Sequence, residues 1–75
     1  MYKRQELKVI DEVKDHLPEK HHYLIDGPDN DLDGSPLVIR YNKNLDIHYL
    51  SAEKGGKRTG NNYFFEEGSW QRKEK

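Results

Sequence analysis

Leu37-Val38-Ile39-Arg40-Tyr41-Asn42-Lys43-Asn44-Leu45-Asp46-Ile47-His48-Tyr49-Leu50 is the stretch that decides the fold. In its first half Leu37, Ile39 and Tyr41 alternate with Val38, Arg40 and Asn42, the period of a strand with one apolar and one mixed face. Asn42-Lys43-Asn44 supplies a turn, and beyond it Leu45, Ile47 and Tyr49 alternate with Asp46, His48 and Leu50. The pattern predicts an antiparallel hairpin whose core face joins Leu37, Ile39 and Tyr41 to Leu45, Ile47 and Tyr49.

Towards the C-terminus, Lys54 to Asn62 is rich in glycine and asparagine and must turn, centred on Gly55-Gly56 or on Gly60-Asn61. Asn62 to Glu67, with Tyr63, Phe64 and Phe65, reads as a further strand. Gly68-Ser69 then turns the chain into a last short strand beginning at Trp70, and the tail after Arg72 is charged and expected to fray.

Towards the N-terminus, Tyr23-Leu24-Ile25 lies in a short β-prone run, His21 to Asp26, closed by Asp26-Gly27-Pro28 and read as the first strand. An acidic, turn-rich loop from Gly27 to Ser35 separates it from the hairpin. From Lys3 to Leu17 the residues Leu7, Ile10, Val13 and Leu17 recur at helical spacing while Lys8, Asp11, Glu12 and Asp15 stay wet, and Pro18 ends the helix. The expected fold is therefore α+β: an N-terminal amphipathic helix packed on an antiparallel meander of four to five strands, one domain spanning residues 1–75. The second sheet face is expected to present Val38, Leu50 and Phe64 among Arg40, Asp46 and His48.

Composition bounds the rest. A chain of 75 residues leaves room for one core, and domains this small bury only roughly 60% of the surface that their unfolded chain exposes. With 32% hydrophobic and 36% charged residues, disorder would compete if the apolar residues were scattered, but they fall in runs. Cysteine is absent, which removes disulfides and thiolate metal sites and fits a reducing, cytoplasmic setting. Neither a signal core nor a run of about 18 apolar residues is present, so no membrane partner is expected. A formal net charge of −1 gives the whole chain no long-range attraction to nucleic acid.

Chemistry-bearing motifs are few. Asp29-Asn30-Asp31-Leu32-Asp33-Gly34 has the alternating oxygen ligands and glycine that open a calcium loop, yet Arg40 stands where the bidentate glutamate belongs. His16, His21, His22 and His48 lack any metal-ligand spacing, and adjacent His21 and His22 would point to opposite faces of a strand. Ser35, Ser51 and Ser69 lie in no nucleophile elbow, and the carboxylates have no evident cleft to set them apart in pKa. No metal, cofactor or catalytic residue is assigned, and the chain is expected not to be an enzyme.

Two binding readings are left. An uncovered apolar sheet face with Val38, Leu50 and Phe64 suits a small non-catalytic module that binds another protein, or itself as a homodimer. The alternative is a single-stranded nucleic-acid-binding module in the Lys54 to Phe65 segment. There Lys54, Lys57 and Arg58 would neutralise phosphates, and Tyr63, Phe64 or Trp70 would stack on bases.

Overall fold

The computed structural model describes residues 15–74. They form a 3-10 helix, Glu19–Asp26, followed by four strands: β1 (Leu37–Asn42), β2 (Ile47–Lys54), β3 (Lys57–Glu66) and β4 (Ser69–Glu74). The strands make one antiparallel meander in the order β1-β2-β3-β4. Of the expected helix from Lys3 to Leu17, residues 3–14 lie outside the described residues, and Asp15 to Leu17 form a turn and a bend. The expectation of an N-terminal amphipathic helix on the sheet is therefore corrected: among the described residues the helix that packs on the sheet is the 3-10 helix.

That helix replaces the first strand expected over His21 to Asp26. Pro18, at φ −56°, leads into it, and the Gly27 amide donates to the Leu24 carbonyl at 3.1 Å to end it. His21 and Leu24, three residues apart, are its buried side chains. At three residues per turn this spacing puts both on one face, whereas a strand would send them to opposite sides. The need to bury both together overrides the β propensity of Tyr23-Leu24-Ile25.

The sheet takes its register from short turns. Lys54 pairs with Lys57 across Gly55-Gly56, both glycines at positive φ (60° and 80°), as the twist of a two-residue hairpin requires. Gly60-Asn61, the other candidate centre, lies within β3. The β3–β4 turn is Glu67-Gly68, joining Glu66 to its partner Ser69. Between β1 and β2 the Asn42 side chain accepts the Leu45 amide at 3.1 Å, which draws residues 43–46 into the turn. Leu45 is consequently a turn residue, 68% exposed, rather than the start of a strand.

The hairpin pairing corrects the expected phase of β2. Leu37 faces Ala52, Ile39 faces Leu50 and Tyr41 faces His48, so Ile47 and Tyr49 lie on the opposite face from Leu37 and Ile39. The core lies on the first of these faces. There Leu37, Leu50, Ala52 and Tyr63 pack with Leu17 and Leu24, and Tyr23, Ile39 and Trp70 close the margin. Gly27 is where the 3-10 helix meets the sheet most closely. A Cβ at that position would lie 2.7 Å from the Trp70 indole and 2.9 Å from Leu50, so no larger residue fits without displacing both. No helix among the described residues is long and apolar enough to cross a membrane.

Candidate nucleic-acid interface

Alternation along the strands leaves a second face on which the 3-10 helix does not pack. Val38, Arg40, Tyr49, Phe64, Gln71 and Lys73 all belong to it by register. Its centre is a pair of stacked rings: Tyr49 and Phe64 lie 5.0 Å apart between centroids with an interplanar angle of 18°. Stacking of this kind fixes the two rings relative to each other. Tyr49 is buried in the pair, while Phe64 is half-buried and carries the Lys73 ammonium 5.7 Å from its centroid. Lys73 also reaches the Glu66 carboxylate at 2.9 Å.

The same face turns basic towards the β2–β3 hairpin, and an irregularity in the sheet is the reason. Ser51 pairs with Asn62 but Glu53 pairs with Arg58, four steps along β3 against two along β2. The surplus is even, so Arg58 stays on the face of Glu53. Glu53 is buried, and its carboxylate accepts two hydrogen bonds from Arg40, from Nε at 2.7 Å and from Nη2 at 2.6 Å. Arg40 pairs with Tyr49 in the ladder, so its side chain runs along the sheet, past the row of Val38 and Ser51, to reach Glu53. Arg58 Nε lies 3.9 Å from the same carboxylate. The hydrogen bonds from Arg40 hold the Glu53 carboxyl below its usual range, and the same bonds raise Arg40 further above its own. Lys54 and Lys57 face each other, exposed, at the hairpin tip. Two guanidiniums, Arg40 and Arg58, therefore meet one buried carboxylate on this face, while Lys54 and Lys57, the next pair along the ladder, alternate to the other face.

The residues anticipated from sequence are divided by this geometry. Arg58 and Phe64 share the open face by register, whereas Lys54 and Lys57, paired at the hairpin tip, alternate to the other one. Tyr63 is buried on the covered face, its hydroxyl donating to Asp31 at 2.8 Å. Burial first, and the Asp31 bond second, push the Tyr63 phenol up. Trp70 is also on the covered side, packed edge-on against Phe65 at 5.4 Å and near Tyr23 at 5.8 Å. Val38 and Phe64 share the open face, but Leu50, fully buried, lies on the other, so the three do not form one patch. The sequence reading missed Arg40, Tyr49 and Lys73. Tyr49 was recoverable from the phase of β2, had Leu50 and Ala52 been taken as the inward pair.

The acidic loop is turned inward. Asp31, with a side chain 0% exposed, is met by Tyr63, by the Asn61 amide at 3.1 Å and by Arg72 Nε at 3.5 Å. Asp33 accepts the Ser35 amide at 2.9 Å, closing a local turn. Among the described residues no group of three or more histidine, aspartate or glutamate side chains converges as metal ligands would. His21, buried on the inner side of the 3-10 helix, shares a hydrogen bond with His48.

No family model matches the chain. It is similar to the protein DNA topoisomerase 1 of several bacteria: 44% identical over 57 residues to that of Salmonella typhimurium, covering 76% of this chain and 7% of the relative. The Escherichia coli protein is 40% identical over 57 residues, and that of Pseudomonas aeruginosa 40% over 62 residues, covering 83% of this chain. The chain thus spans about 7% of the length of these curated relatives. This similarity overturns the reading of the chain as a non-catalytic protein-binding module. It also overturns the expectation that the chain is not an enzyme: the relatives are enzymes by name, of which the chain spans about 7%.

Proposed function

We propose that this chain is a DNA-binding module of a topoisomerase-like protein and that it takes single-stranded DNA on the open face of its sheet. The observation that carries the reading is the Tyr49–Phe64 stack with Lys73 beside it, on the face that the 3-10 helix leaves uncovered. A base placed against the outer face of Phe64 extends a two-ring column to three, and stacking of this kind tolerates any sequence because every base has a π-face. Lys73, 53% exposed, can leave its place over the Phe64 ring for a phosphate at little cost, which also frees that ring face for a base. Double-stranded DNA offers no free base face to such a platform, so single strand is the preferred form. The similarity to DNA topoisomerase 1 supports the same reading, and a cytoplasmic setting agrees with it.

Fluorescence anisotropy with a labelled oligothymidylate tests this. The protein should bind the single strand more tightly than a duplex of equal length. Phe64→Ala should lose about 1–3 kcal/mol, a factor of roughly 5 to 150, with its circular dichroism unchanged. Equal affinity of Phe64→Ala and the parent protein would refute the stacking platform.

A further inference from the structure

We propose that Glu53 builds a phosphate-binding fork out of Arg40 and Arg58, a site for the backbone of a bound strand at the basic end of the open sheet face. The inference rests on the DNA-binding reading above and adds to it the group that meets the phosphate.

Arg40 commits Nε and Nη2 to the two oxygens of Glu53. A guanidinium has five N–H donors in a plane, so this bidentate pairing fixes the plane and leaves the remaining donors for a second acceptor. The Arg40 side chain is 42% exposed although its partner carboxylate is only 8% exposed, so the pair lies at the sheet surface with the arginine on the solvent side. Arg58 is 62% exposed and approaches the same carboxylate from the neighbouring strand. One guanidinium held bidentately on the buried acid and a second within ion-pair distance of it carry a net positive charge, and planar, forked donors suit a tetrahedral phosphate oxygen pair. The irregularity between Ser51 and Glu53 makes this possible. Without the two extra residues in β3, Gly60 rather than Arg58 would lie opposite Glu53. Arg40 also links the fork to the stacking platform, because its Cα pairs with Tyr49, the inner ring of the column.

A fork and a diffuse cloud of positive charge respond in opposite ways to the same substitution. Glu53→Gln removes a negative charge from between two guanidiniums, so a charge cloud would bind DNA more tightly, whereas a fork loses its anchor and binds less tightly. Arg40→Lys keeps the charge but cannot bridge the carboxylate and a phosphate in one plane. The experiment is the anisotropy titration of labelled oligothymidylate across a salt series, from about 50 to 200 mM, with Lys43→Ala in the exposed β1–β2 turn as a control for removal of a distant cation. Each phosphate that the protein no longer neutralises should lower the slope of log K against log salt by about 0.7, equivalent to about a 2.5-fold smaller fall in affinity over that range. Arg40→Lys and Glu53→Gln should both show the lower slope and weaker binding, Phe64→Ala should weaken binding at the parent slope, and Lys43→Ala should match the parent. If Glu53→Gln binds more tightly, or Arg40→Lys keeps the parent slope, the fork is overturned while a Phe64 effect still upholds the DNA-binding reading. Failure of the parent protein to bind at the lowest salt overturns both. Should circular dichroism show Glu53→Gln to be unfolded, Arg40→Lys decides alone.

Discussion

At the scale of single residues, His21 and His48 carry the clearest consequence of the fold. Their Nδ1 atoms are 2.5 Å apart, so one proton lies between them and the rings cannot both be charged. Desolvation by burial is the main cause holding each below the ordinary histidine value of 6.5. For His21 the Lys20 charge pushes the same way, and for His48 its partner His21 does; Asp46 opposes in both. Around them, Lys20 pairs with Asp46 at 3.1 Å, the Tyr41 hydroxyl donates to Asp46 at 2.7 Å, and Tyr23 donates to the His48 carbonyl at 3.1 Å. Because the native imidazoles titrate below the unfolded ones, the unfolded state takes up protons first as pH falls. Stability is therefore full above about 6.5 and declines as pH drops through the lowered native values. Urea denaturation should show a falling midpoint between about pH 7 and pH 5, and His48→Gln should flatten that dependence. Glu53 and Asp46, held below ordinary carboxyl values by their hydrogen-bond partners, add their own loss only at more acid pH. A midpoint constant across the histidine window would show that the pair does not link the 3-10 helix to β2 as described. Nothing in the sequence distinguished His21 from its neighbour His22; only the three-residue turn of the helix puts one inside and leaves the other exposed.

At the scale of elements, the alternation of β1 was legible, the turns only to within a residue or two or between two centres, and the phase of β2 was not. Ile47-His48-Tyr49-Leu50-Ser51-Ala52 has apolar side chains in both phases, so period alone does not choose between them. The choice follows from size and from the 3-10 helix: Leu50 and Ala52 fit completely beneath it, whereas Tyr49 finds its cover in Phe64. The same choice sends Tyr63 inward, where β3 pins the acidic loop through Asp31. Removing the hydroxyl with Tyr63→Phe leaves a buried carboxylate oxygen short of a donor, a cost of about 1–3 kcal/mol. Thermal unfolding should shift down by roughly 4–8 °C per kcal/mol for a domain of this size, with affinity for single-stranded DNA unchanged because the residue lies on the covered face. An unshifted melting temperature would mean that Asn61 and Arg72 satisfy Asp31 without it.

At the scale of the whole molecule, one sheet separates two tasks. The covered face holds the fold together, with Leu24, Leu37, Leu50 and Ala52 almost fully excluded from water. The second face buries Tyr49, Ser51 and Glu53 within its own side chains and keeps Phe64, Arg58 and Lys73 within reach of a ligand. In so small a chain this division explains why the sequence signal for binding was diffuse. Phe64 and Phe65 are adjacent and chemically alike, yet by register Phe65 joins Trp70 on the covered side while Phe64 meets Tyr49 on the open one. Trp70 reports directly on this separation because it is the only tryptophan in the chain. It packs near Gly27, Tyr23 and Phe65, away from the platform. Titration with unlabelled oligothymidylate should therefore leave its emission unchanged at saturation, although anisotropy of a labelled strand reports binding under the same conditions, whereas urea should shift the emission to the red as the covered face opens. Strong quenching by the oligonucleotide would put the strand on the side of Trp70, and the Tyr49–Phe64 column would no longer be the platform.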